Sequence, residues 1–192
     1  MKYLKTVLAT FFIACVAFSS NNVVYAAEQD IEYDIEIEDA YMENATVVSS
    51  DSYIEDGRLI TETVYQLEDG TIIIDTFNRS AISPCSPNGS DTATRTRNIV
   101  NWGTITITAS FTWYTQGAFS YVKCNSMSAT KSFPNQVVVH TWDTSYTSNY
   151  VALGKASAQV EYYIYNSVNP TQHQDGTFKI TCTDSGTISD NG

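Results

Sequence analysis

Gly103-Thr104-Ile105-Thr106-Ile107-Thr108-Ala109-Ser110-Phe111-Thr112-Trp113 decides the fold. Ile105, Ile107, Ala109, Phe111 and Trp113 alternate without a miss with Thr104, Thr106, Thr108, Ser110 and Thr112, which is the period of a strand with one buried and one wet face. A helix would scatter the five apolar side chains around its circumference, and the β-branched content works against it too. Working outward, residues 119–129 form a second run after the turn at Gln116-Gly117, and residues 137–142 a third after Pro134-Asn135. Residues 150–165 alternate again, with Ala152, Gly154, Ala156, Ala158, Val160, Tyr162 and Ile164 in one phase, and residues 177–183 follow the turn Asp175-Gly176. Strand-period runs separated by turn residues predict an all-β chain, with an immunoglobulin-like antiparallel β-sandwich over residues 98–190. The small residues at 152–158 leave room for Phe111 and Trp113 from a facing sheet.

The rest of the chain is organised by charge. Its 192 residues carry a formal charge of −11. Between residues 28 and 75, fifteen acidic side chains stand against the single base Arg58, whereas residues 76–192 are almost balanced. Ten lysines and arginines in all argue against a nucleic-acid partner, which needs a concentrated basic face. Within the acidic segment, 27–79, Ile31, Tyr33, Ile35 and Ile37 interleave with Glu32, Asp34, Glu36 and Glu38, but repulsion between like charges predicts partial disorder. Two β-rich runs around Glu68-Asp69-Gly70 predict a hairpin over 59–77. Residues 80–97, rich in Ser, Thr, Pro and Asn and without apolar period, read as a linker. Arg95 and Arg97 in that linker offer a processing site that would release the C-terminal domain, although an uncut linker explains the same residues more simply.

At the N-terminus, Lys2 and Lys5 precede an uncharged apolar run, Val7 to Phe18, and Val24-Tyr25-Ala26 ends in small residues. That order is a secretory signal over 1–26 cleaved before Ala27, and it predicts a secreted, extracellular chain with no membrane attachment afterwards. The apolar run falls short of the ~20 residues that span a bilayer. In an oxidising compartment the cysteines matter. Cys124 and Cys182, in phase with Val122 and Ile180, both point inward on the strand reading and form the expected disulfide. Such a bond joins positions 58 residues apart, which stabilises the fold by about 4 kcal/mol on chain entropy. Cys85 is then left over in the linker.

For chemistry the sequence offers little. The two histidines, His140 and His173, have no nucleophile elbow or triad signature beside them, so a hydrolase is disfavoured. No metal-ligand spacing occurs and no cofactor is implied. Tyr163 and Tyr165, on the strand phase of Lys155, Gln159 and Glu161, and Trp142, in phase with His140, are the candidate binding residues, for exposed aromatics can stack on a sugar or a protein surface. Ordinary cross-strand packing is the competing explanation for tyrosines on a sheet. The function expected is surface binding of an extracellular protein or glycan without catalysis; the alternatives are an exported precursor whose acidic segment is cleaved near Arg97 to release a small toxin-like or antimicrobial β domain, and a hydrolase.

The signal peptide, Tyr65-Gln-Leu-Glu-Asp-Gly-Thr71, Thr94-Arg-Thr-Arg97, Phe111-Thr-Trp-Tyr114 followed by Gly117, Lys123-Cys124, and Ile180-Thr-Cys182 with Gly186 beyond form a pattern. It resembles a family of small, secreted, β-rich proteins of Gram-positive bacteria. The resemblance implies export and a β fold and brings no catalytic residues to carry over.

Overall fold

The computed structural model describes residues 42, 44–81 and 87–190. The proposed signal 1–26, the alternating stretch 31–38 and Cys85 lie outside the described residues. The described chain is built of strands without a helix: β1 (Thr46–Glu55), β2 (Arg58–Gln66), β3 (Ile72–Ser80), β4 (Gly89–Ile99), β5 (Gly103–Gln116), β6 (Phe119–Ser132), β7 (Val137–Tyr146), β8 (Val151–Ala152), β9 (Lys155–Asn166), β10 (His173–Thr183) and β11 (Ile188–Ser189). They form two antiparallel sheets, a larger one ordered β1-β2-β3-β4-β5-β6-β8 and a smaller one ordered β11-β10-β9-β7. The layering is the sandwich that the alternation predicts. Within the larger sheet the connections run as a meander, each strand hydrogen-bonded to the one before it through β6.

The core lies between β4, β5 and β6 on one side and β9 and β10 on the other. Ile105, Ile107, Ala109, Phe111 and Trp113 face it from β5, and Ala156, Ala158, Val160, Tyr162 and Ile164 from β9. Trp113 sits tightly against two glycines. A Cβ on Gly186 would fall 2.3 Å from the indole, and one on Gly89 2.6 Å. Gly186 also has φ +85, so both backbone and space require glycine there.

The acidic segment and the linker are not separate from this sheet. β2 and β3 pair around Glu68-Asp69-Gly70, where Asp69 Oδ1 accepts from the Thr71 amide at 2.8 Å and Gly70 takes φ +84. β3 then pairs with β4 and β4 with β5. Residues 89–97, expected as linker, are therefore a central strand. Its inward positions are Ala93, Arg95, Arg97 and Ile99, and two guanidinium groups hide the apolar period that would have announced a strand.

Those arginines meet a carboxylate. Asp75 on β3 accepts from Arg97 Nε and Nη2, both at 2.9 Å, and from Arg95 Nη2 at 2.8 Å. Arg95 Nη1 also donates to the carbonyls of Lys179 and Asp190 at 2.9 Å each, tying the C-terminal segment to β4. Both guanidiniums lie over the Phe178 ring, at 4.5 and 4.8 Å. Burial works to raise the pKa of Asp75, but the charges of Arg97 and Arg95 and their hydrogen bonds outweigh it and hold the carboxyl below its usual range.

Candidate functional site

β9 is flanked by β7 on one side and β10 on the other, so its outward side chains have neighbours both ways. Tyr163 stands opposite Thr141 on β7 and Asp175 on β10, and Tyr165 opposite Val138 and His173. The β7 register slips between Val139 and Thr141, which leaves His140 as an extra, bulged residue. The bulge aims His140 outward, where its ring meets Tyr163 edge-on at 5.5 Å. On the other side His173 stacks on Tyr163 at 5.3 Å with 20° between planes, and Tyr165 lies 6.4 Å away, tilted. Four rings thus share one patch. His140, Thr141, Tyr163, Tyr165 and Pro170 line an open groove of about 570 Å³ along it.

The polar edges are few. His140 Nδ1 is 3.2 Å from Thr141 Oγ1. His173 Nδ1 donates to the Thr171 carbonyl at 3.2 Å, while its Nε2 lies 3.9 Å from the Asp175 carboxylate. Among the described residues neither imidazole therefore joins a hydroxyl on one nitrogen to a carboxylate on the other, which acyl-transfer chemistry would need. Nor does any group of three or more His, Cys, Asp or Glu among them stand where it would hold a metal. The arrangement is suited to stacking on a flat or ring-shaped ligand, with hydrogen bonds from its rim.

Of the candidate binding residues, Tyr163 and Tyr165 come together and are joined by both histidines; Trp142 does not. The bulge at His140 breaks the phase that linked the two, so Trp142 stands opposite buried Tyr162, packs against the core, and is capped by Lys131 Nζ at 4.3 Å from its ring. The processing role for Arg95 and Arg97 is corrected as well. Arg97 is only 1% exposed and Arg95 7%, and both sit in a strand bonded on either side, whereas a protease needs an accessible, extended segment. A cut there would divide the larger sheet through its middle.

Cys124 and Cys182 occupy inward positions of β6 and β10, on facing sheets, as the strand phase implies. They are free thiols here and not the expected disulfide. Cys124 Sγ donates to the Ser126 carbonyl at 3.3 Å and Cys182 Sγ to the Thr183 carbonyl at 3.4 Å. Burial pushes the Cys124 thiol up, and burial, with smaller contributions from Asp91, Cys124 and Asp184, pushes Cys182 up to about 12.

A second aromatic group escaped the sequence reading. Tyr114 on β5 stacks on Tyr121 of β6 at 5.0 Å, Tyr150 meets Tyr114 edge-on at 4.9 Å, and Lys123 Nζ lies 4.7 Å from the Tyr150 ring. The opposed pair Tyr114 and Tyr121 was the available signal, visible once the hairpin turn at Gly117 is used to set the register. Comparison of the chain with family models, with curated proteins and with solved structures finds no match. The fold and these two aromatic faces define a β-sandwich with ring-lined outer surfaces.

Proposed function

We propose that the protein is exported and acts without catalysis, by binding an extracellular protein or glycan in the groove around Tyr163. The observation that carries this reading is the flanking of Tyr163 by His140 and His173 on a strand held from both sides. Rings fixed in this way offer contact area at low entropic cost. The charged-then-apolar leader and Val24-Tyr25-Ala26 support export, and the resemblance to secreted proteins of Gram-positive bacteria agrees with it. Outside the cell, Cys124 and Cys182 form a disulfide: each thiol gives up a hydrogen, and an oxidised thiol partner such as a small disulfide takes both electrons and both protons. Their facing inward positions support that pairing.

The test of the binding reading is retention of the secreted chain on panels of immobilised neutral and acidic glycans and of purified cell-surface proteins, compared with Tyr163→Ala and Tyr163→Phe. Loss with Ala and retention with Phe is the expected result; binding that survives both Tyr163→Ala and Tyr165→Ala would sink the proposal. Intact mass of the secreted chain reads the other two points at once, through a start at Ala27 and a deficit of two hydrogens.

A further inference from the structure

On the far side of the molecule, the register of the larger sheet lines up rows of hydroxyls. Thr76, Thr96, Thr106 and Thr130 stand opposite one another across β3 to β6, and beside them run Asn78, Thr94, Thr108 and Ser128. A third row is Thr92, Ser110 and Ser126, and a fourth is Ile74, Asn98, Thr104 and Ser132. Thr94 and Thr108 share a hydrogen bond at 3.1 Å, as do Thr96 and Thr106. Strand geometry sets these groups on a grid of about 4.8 Å across the strands and about 7 Å along them.

From β3 to β6 these rows hold no charged side chain of their own; on β2 and β1 the first continues into Glu62 and Asp51, and Arg58 Nε reaches the second, donating to Asn78 Oδ1 at 2.6 Å. Of the charges on these strands, Asp75, Arg79, Asp91, Arg95, Arg97 and Lys131 fall in the opposite, inward phase, and Lys123, opposite Thr112, shares the outward one. That is the reverse of an ordinary wet face, where about a quarter to a third of residues are charged, and it occurs in a chain of net charge −11. At one end the β5 column of Thr104, Thr106, Thr108, Ser110 and Thr112 runs into Tyr114 and its neighbours Tyr121 and Tyr150, the first of the three in outward phase with the threonines. Asn125 Nδ2 donates to Thr112 Oγ1 at 2.6 Å and ties the two parts together.

We propose that this face binds a neutral polysaccharide, lying along β5 with sugar rings on the Tyr114 platform and their hydroxyls on the Thr and Ser rows. Each protein hydroxyl both donates and accepts, so it can match a sugar hydroxyl in either role. A tyrosine face takes the apolar side of a pyranose while its oxygen stays wet. The scarcity of charge from β4 to β6 fits an uncharged polymer; an acidic one would find Lys123 and an Arg58 already beside Asp91, and would meet Glu62 and Asp51 toward β1. A protein partner is disfavoured, because the centre of such an interface is apolar rather than hydroxyl-lined. The site is independent of the Tyr163 groove, which lies on the other sheet.

The experiment is retention of the full secreted chain on microcrystalline cellulose, chitin and an insoluble mixed-linkage glucan, with polygalacturonate as the acidic control, at low and high salt. Binding to at least one neutral polymer, unchanged by salt, is expected. Tyr114→Ala should weaken it about tenfold, and Thr106→Lys, which leaves the core untouched, should do likewise. Tyr114→Phe and Tyr163→Ala should keep it. Retention by none of the neutral polymers, or salt-sensitive retention by polygalacturonate alone, would overturn the proposal. So would a loss on Tyr163→Ala without a loss on Tyr114→Ala, which would move glycan recognition to the groove. Ice crystals faceted by the chain, with no polymer retained, would assign the rows to ordered water and equally overturn it.

Discussion

The two ends of the core close the same gap between sheets by opposite means. At one end Asp75 is clasped by Arg95 and Arg97 over Phe178; at the other, Trp113 fills the space beside Gly89 and Gly186. The ionic end depends on partners, because two guanidiniums buried without their carboxylate are expensive. The apolar end depends on shape, and an added methyl is as disruptive there as a lost one. A single change should therefore cost most where charge is enclosed.

The sharpest way to break the comparison is Asp75→Asn. It keeps the volume and removes the charge, and should destabilise the fold by about 3–5 kcal/mol in denaturant titration. Acid should mimic it. The folded pKa of Asp75 lies below its unfolded value, so its contribution is complete above about pH 4 and is lost as pH falls through the folded pKa. A melting temperature that held steady well below pH 4 would contradict the ionic account. At the other end, Gly186→Ala should cost about 1–3 kcal/mol, from crowding against Trp113 and from strain at φ +85. The thiols act in the opposite pH direction. Their folded pKa values are raised, for Cys182 to about 12, so stability present below about pH 8.5 should drain away as pH rises toward 12. Oxidation to the disulfide removes the titration, so the alkaline slope should flatten when reductant is withdrawn. Least of all, Lys131→Ala should cost about 0.5–1 kcal/mol through the exposed contact with Trp142.

Such differences also explain what the sequence made legible. The strand at Ile105–Trp113 reads directly because one face is apolar and the other hydroxyl, and a strand's two-residue period survives any packing partner. β4 does not, because its inward Arg95 and Arg97 look like solvent residues until Asp75, twenty positions away, is known to be their partner. Charge counting went astray for the same reason: Glu62 and Asp51 are wet, but Asp75 in the same acidic segment is enclosed. At the groove, Tyr163 and Tyr165 could be read as outward from phase alone. His140 and Trp142 could not be separated, since a bulge leaves no mark in a run such as Val137–Trp142, and His173 reaches Tyr163 only through cross-strand register. The hydroxyl rows were half visible, as the alternating threonines of β5, and became a surface only when β3, β4 and β6 were aligned beside it.

β1 ends the larger sheet with all ten residues exposed, Tyr53 and Ile54 among them, and among the described residues it is bonded to β2 alone. Among the described residues its other backbone rim is left unpaired, and the charges of Asp51 and Glu55 on this strand work against a second such rim joining it. Where those two charges are removed by substitution, the rim offers a second copy of the chain a place to continue the sheet.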